Sequence, residues 1–370
     1  MSHSYILQVK AIPMDITAHF AFSRRPDFLA ALILAVSPIS SSWPEPSTYH
    51  CPRAVTAPVI DGRIDDVSWG KAEWSAEFID ITGDPSKKPY RSTRMKMMWD
   101  EDFFYVGAEL SEPHIWATIR KRDSVIFHDN DFEVFVDPDG DNHRYAELEI
   151  NAFGTEWDLL LVKPYRDGGP AVTDWNMAGL KTAVDVEGTI NDPSDLDTGW
   201  TVEIAIPWAV FDSITNINLP PNIGDCWRVN FSRVQWKTRI EEGKYIKEKR
   251  AGDNWVWSAQ GIVDMHQPER WGIVCFKGEE ETESGKNIAE SLFLPERKRL
   301  MECYHAQKQF RKAEKQWAQS MAELQSFVGQ RLGDEIHMRG TLAGFTAWIE
   351  LNDSLRISVY DDSRIVVHSP

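Results

Sequence analysis

The sequence predicts a mainly β fold: an antiparallel two-sheet β-sandwich, followed by a C-terminal long α-helix and a small β-hairpin. Three observations predict it. Between residues 51 and 276, short runs of alternating apolar and polar residues are separated by turn residues, the pattern of strands that bury one face. No stretch of that region carries the 3.6-residue period of a long helix, which excludes a doubly wound α/β fold. After residue 276 the pattern changes to a charged stretch and then to an apolar stripe at helical spacing.

Residues 1–50 form an N-terminal extension. Within it, Arg24 and Arg25 precede an apolar run at 28–36 and the small residues SPISSS, the order of a secretory signal. Nine apolar residues cannot span a bilayer, so the expectation is a secreted or extracytoplasmic chain with no membrane span, an intracellular one being the alternative. In the β region, Met95, Met97 and Trp99 lead through Asp100, Glu101 and Asp102 into the run at 103–110, which is a hairpin. Phe132, Val134 and Val136 alternate with Glu133, Phe135 and Asp137, and PDGD then turns the chain into strands at 145–151 and 155–162. Further strands are expected at 180–186, 200–206, 227–233, 256–258 and 271–276. The predicted sandwich spans 51–277 and the linker 278–289. In the 290–370 extension, Cys303, Ala306, Phe310, Ala313, Trp317, Met321, Leu324 and Val328 lie on one stripe, read as a single amphipathic helix over 290–328. That stripe could pack on its own chain or mediate self-association. Leu355, Ile357 and Val359, then Ile365 and Val367, form the closing hairpin.

Composition narrows the chemistry. A net charge of −17 repels phosphate backbones, so no nucleic-acid partner is expected. Four cysteines without CxxC spacing are read as small buried hydrophobes rather than zinc ligands, although Cys226 and Cys275 lie in strand-like runs and could pair in an exported protein. There is no GxSxG, HExxH, P-loop or βαβ-embedded GxGxxG, so nucleophilic, zinc-hydrolase and nucleotide chemistry lack support.

Five strings in order are more specific: VIDGRIDDVSW (with Asp61, Gly62, Asp65 and Trp69), MKMMWDEDFFYVGAEL, DFEVFVDPDGD, GWTVEIAIPW and PERWGIVCF. Over 51–276 they resemble the family 9 carbohydrate-binding modules, and HDNDFEVFVDPDGD and NWVWSAQGIVDMHQPERWG resemble a free-standing subgroup with a helical tail. The resemblance implies a β-sandwich that binds a saccharide or polysaccharide without catalysing its cleavage, in support of polysaccharide breakdown and often with structural calcium. It also implies two Trp rings clasping the sugar. Here Phe127 and Met265 stand at those positions, and Met265 offers no flat face. Trp255, Trp257 or Trp271 could substitute.

A pyranose needs planar rings for its C–H faces and polar side chains for its hydroxyls. Glu133 and Asn151 match sugar-contact positions of the family, and Glu149 stands where it has an Arg. Together with Phe127, His128, Asp131, Trp255, Trp257 and His266, they make the predicted site, where the loop at 127–131 meets the loop at 255–266; Asp129 lies in the first loop. Asp137, Asp139 and Asp141, beside Asn142, place oxygen ligands at alternate positions in a Gly-containing turn and suit calcium in a structural role, although a plain polar turn explains the string equally. Three alternatives stay open: weak glycoside hydrolysis by a carboxylate pair, haem ligation by Met97, Met98, Met265, His128 or His266, and a protein-interaction scaffold.

Overall fold

The computed structural model of the chain describes residues 43–279, 292–329 and 331–368, all within one compact unit, Pro38–Pro370. The signal-like run and most of the expected linker lie outside the described residues. The strands of the sandwich are β1 (Thr48–Cys51), β2 (Ile79–Asp80), β3 (Thr93–Trp99), β4 (Phe103–Ser111), β5 (Asp131–Asp137), β6 (Tyr145–Asn151), β7 (Glu156–Leu161), β8 (Ala171–Val172), β9 (Lys181–Glu187), β10 (Gly199–Pro207), β11 (Cys226–Gln235), β12 (Thr238–Glu241), β13 (Lys244–Lys247), β14 (Asp253–Val256) and β15 (Gly272–Phe276). The sandwich thus begins a few residues before Cys51.

The larger sheet runs β1-β15-β11-β5-β6-β7-β8, with β14 beside β11 and β2 beside β14; the smaller runs β3-β4-β10-β9, and β12-β13 is a separate ribbon. All pairs are antiparallel except β1 with β15. Alternation decides which residues meet between the sheets. Phe132, Val134 and Val136 of β5 and Ala146, Leu148 and Ile150 of β6 bury against Met97, Val106 and Ile204 of the opposite sheet. The same parity turns Asp131, Glu133, Glu147 and Glu149 to the outer face of the larger sheet.

Cys226 and Cys275 are register partners on β11 and β15 and form a disulfide, which corrects their reading as buried thiols; Cys51 and Cys303 are buried and free. The bridge closes a loop with a sequence separation of 49. Reduction should lower the unfolding free energy by about 3 kcal/mol, measured as a shift in denaturant midpoint with and without reductant.

The C-terminal extension holds α1 (Leu294–Glu314), α2 (Met321–Val328) and a sheet in the order β16-β17-β18-β19, over His337–Gly340, Phe345–Asn352, Leu355–Tyr360 and Ile365–His368. The long helix therefore ends at Glu314 instead of running to Val328. Lys315 takes a left-handed conformation (φ 60°), and Ser320 caps the next helix by accepting the Glu323 N–H. Trp317 stays on the apolar stripe because it is buried against Phe345 from the connection, not from a helix. The expected hairpin is the β18–β19 half of a four-stranded sheet. Leu300, Cys303 and Phe310 pack on Ala347, Ile357 and Val359, so the stripe is buried within its own chain.

Extension and sandwich meet through a buried polar cluster. Arg166 donates to Glu269 at 2.9 Å and to the His266 carbonyl at 3.1 Å, while Lys308 and Tyr304 of α1 reach Asp167 at 2.7 and 2.5 Å. His305 lies 3.6 Å from Glu269, whose carboxyl is held down at about 2 although burial opposes it, with Arg166 the largest favourable influence.

Candidate functional site

The outer face of the larger sheet floors a cleft of about 590 Å³. Its floor is Glu133 of β5 with Glu147 and Glu149 of β6; Glu133 and Glu149 are directly opposed in register. Trp157 of β7 stands opposite Glu149 and rises as one wall. Phe127, Tyr165 and Trp236 come from flanking loops, and Met265 and His266 from the loop before β15.

Hydrogen bonds and ring contacts fix several of the walls. The Phe127 N–H donates to Glu149 Oε2 at 2.9 Å, and the Trp236 indole donates to the Phe127 carbonyl at 2.8 Å. Lys247 lies 3.3 Å over the Trp236 ring and donates to the His128 carbonyl at 2.6 Å. His266 Nδ1 is 2.9 Å from the Tyr145 hydroxyl, and its ring meets Tyr165 edge to face at 4.5 Å. Phe127 and Tyr165, at 38% and 52% exposure, present their rings at the mouth.

The floor is electrostatically strained. Burial, reinforced by neighbouring carboxylates, pushes Asp131, Glu147 and Glu149 well above the usual carboxylate range, and burial pushes Glu133 up to about 7. Asp131 lies beneath the floor, within 4.8 Å of Glu133 and Glu149, its Oδ1 accepting the Val234 N–H. Burial holds His266 down at about 4, so the imidazole is neutral at pH 7.

The structure brings Phe127, Glu133, Glu149 and His266 to one cleft and sets Asp131 under it. It places the other expected residues elsewhere. Trp255 and Trp257 are in the inter-sheet core, where Trp257 lies so close to Gly272 that an added Cβ would come within 2.3 Å of its ring; Trp271 is likewise fully buried. Trp255 and Trp257 fill space between the sheets, and Trp271 packs against Phe135 and Tyr145. The Asn151 amide is consumed by the Ile119 carbonyl and Asp129, and its oxygen by the Phe153 and Thr155 N–H groups. His128 is exposed beside Phe127 and is not part of the cleft lining. Trp157, Tyr165, Trp236 and Glu147 were not singled out from sequence. The signal for Glu147 was its parity with Glu149; Trp236, just past the end of β11, carried none.

The family described as "Carbohydrate family 9 binding domain-like" matches residues 60–278. The chain belongs to that family. No curated protein matches this family 9 domain protein. Among solved structures it is similar to a family 9 carbohydrate-binding module from Caldicellulosiruptor kristjanssonii in complex with cellotriose, at 18% identity and a TM-score of 0.42, covering 64% of this chain and 97% of that one. The same module in complex with glucose gives 17%, 0.42, 64% and 99%. A protein from Bacteroides uniformis described as a candidate carbohydrate-binding protein gives 17% and 0.47, covering 63% of this chain and all of the other.

The family 9 domain holds a second acidic group at the opposite end of β5. Asp137, Asp139 and Asp141 bring one oxygen each within 4.8 Å of one another. Burial and mutual repulsion push Asp137 and Asp139 up. Asp137 accepts the Gly140 and Asn142 N–H groups, Asp139 the Thr215 hydroxyl, and Asp141 the Arg364 guanidinium at 3.0 Å. The turn is also gripped from the extension, since Arg297 donates to the Gly140 carbonyl and Asn142 to the Ser363 carbonyl. An all-oxygen set of mutually repelling carboxylates fits a hard cation. Of the five haem-ligand candidates, Met97 lies in the inter-sheet core and Met98 in a separate cluster behind its strand, while Met265 and His266 line the cleft, His266 bonded to Tyr145, and His128 is exposed beside Phe127.

Proposed function

We propose that this protein binds a saccharide non-catalytically in the cleft above β5, β6 and β7, in support of polysaccharide breakdown. One observation carries the reading: in a family 9 domain, planar rings and carboxylate acceptors converge on a single open cleft, the pairing a pyranose requires. The rings of Trp157, Trp236 and Tyr165 cover the sugar's C–H faces, and Glu133 and Glu149 accept from its hydroxyls. The clamp thus uses rings other than those at the family's two Trp positions. Calorimetric titration of the full chain with oligosaccharides chosen from a glycan array tests it. Trp157→Ala should weaken binding ~10-fold, the value of one aromatic contact; unchanged affinity would remove Trp157 from the site. Retention of intact oligosaccharide after prolonged incubation separates binding from hydrolysis.

Asp137, Asp139 and Asp141 would hold a calcium ion, which supplies positive charge to the turn that anchors the extension. Calcium at about a hundred times its dissociation constant should then stabilise the chain by about 2.7 kcal/mol, seen as a rise in Tm that a chelator reverses and Asp139→Asn removes. The Cys226–Cys275 bridge supports an exported, oxidising location. Mass measurement of the chain recovered from outside its source cells, with and without reductant, tests that location.

A further inference from the structure

We propose that the cleft selects saccharides bearing a protonated amine, an amino-sugar unit whose ammonium rests on the carboxylate floor. This rests on the saccharide-binding reading and names the sugar class.

The lining carries Glu133, Glu147, Glu149 and Asp264, and no lysine or arginine. None of the ion pairs among the described residues includes the three floor glutamates or Asp131 beneath them. Two neighbouring cations are committed elsewhere, Lys247 to the His128 carbonyl and the Trp236 ring and Arg166 to Glu269 and the His266 carbonyl, and neither is in the lining. His266, the one basic side chain in the lining, is neutral at pH 7. The floor therefore holds several carboxylates that water reaches poorly and that no protein cation balances. Glu147 is 4% exposed and its Oε2 accepts no hydrogen bond; Asp131 Oδ2, fully buried, accepts none either.

Buried carboxyls without a partner resist ionising, and a ligand that brings positive charge lets them ionise against it on binding. A neutral hydroxyl donates one hydrogen and gives the carboxyls no charge to ionise against. An ammonium donates three hydrogens and carries a full positive charge, and with oxygens of Asp131, Glu133 and Glu149 within 4.8 Å of one another, one small cation can face several acceptors at once. The surrounding groups favour an organic cation. Trp157, Trp236 and Tyr165 offer faces for a sugar ring and for cation–π attraction, and Ile81, Leu159 and Val234 present apolar surface where a hydrated metal ion would want oxygen.

Three β-1,4-linked disaccharides that differ at C2 decide the matter: glucosamine, N-acetylglucosamine and glucose. Calorimetry with the full chain in chelator should give the glucosamine form an affinity ~10-fold above the other two, the gain of a charge-assisted over a neutral hydrogen bond. Glu147→Gln and Glu149→Gln keep the shape and each remove one acceptor that can ionise against an ammonium; either should lower glucosamine affinity ~5-fold more than glucose affinity. Thermal melts of both variants confirm that they fold. Equal or tighter binding of glucose overturns the proposal, as does a glucosamine preference that survives both substitutions. Saccharide binding that appears only when calcium is restored shows that a metal ion takes the charge, and also overturns it. If the chain binds saccharides but prefers neutral ones, only this inference falls; if it binds none of the three nor any array glycan, the saccharide reading falls with it.

Discussion

Arg166→Ala should lower the unfolding free energy by about 4 kcal/mol, because removing one partner of a buried ion pair leaves the other charged and desolvated. Glu269, 7% exposed, would keep His305 at 3.6 Å and the weaker field of Arg270, and the His266 carbonyl would lose its donor. The same substitution strips the side chain that links the loop after β7 to the loop before β15, on which α1 rests through His305, Tyr304 and Lys308. Chemical denaturation should therefore show one transition in the parent and an earlier, separate loss of the extension in the variant. Acid probes the pair from the other side. Glu269 is held at about 2 in the fold against 4.5 for a free glutamate, so its stabilisation is complete above 4.5 and fades as pH falls toward 2. A parent and a variant with equal midpoints at pH 7 would show that the network does not hold the two parts together.

Glu133→Gln should have effects of opposite sign on binding and on stability. In the unfolded chain Glu133 titrates near 4.5, and in the fold burial pushes it up to about 7, so between those values the folded protein holds the proton more tightly. The stability assignable to this group falls as pH rises from 4.5 through 7, by up to about 3 kcal/mol at 1.36 kcal/mol per unit. The glutamine variant, which cannot ionise, should match the parent at pH 5 and exceed its midpoint at pH 8. Its saccharide affinity should drop ~100-fold, the scale of a lost buried acceptor at the centre of a site. A variant that binds as the parent does would take Glu133 out of the site; equal midpoints at pH 8 would show that its charge is not under strain. The floor is then a case of stability surrendered for recognition.

Sandwich and floor were legible from period-2 alternation. Phe132, Val134 and Val136 mark the core face of β5, and that parity alone assigns Glu133 to the other face with Asp131 and Asp137. Glu149 follows from the same count on β6. What one strand's sequence does not contain is its neighbour. Trp157 faces the cleft because β7 pairs with β6 in a register that sets it against Glu149, whereas Trp255 lies in the core because β14 sits between β11 and β2. Both rings occupy ordinary strand segments, and only pairing distinguishes them. Trp236 depends on an Asn130 side chain that accepts its backbone N–H at 2.7 Å, a contact across 106 residues. In the extension, the stripe misled because Trp317 and Met321 keep helical spacing across a break that the left-handed Lys315 introduces. Nothing in the residue type of a lysine announces that conformation.

The parallel pairing of β1 with β15 joins Thr48 to Ile273 and Cys51 to Phe276. During synthesis the first strand emerges and must wait, its backbone unpaired, until more than two hundred further residues have left the ribosome. At a few to about twenty residues per second, that interval lasts roughly ten seconds or longer. The nascent sandwich is thus a sheet whose seam stays open until its last strand arrives.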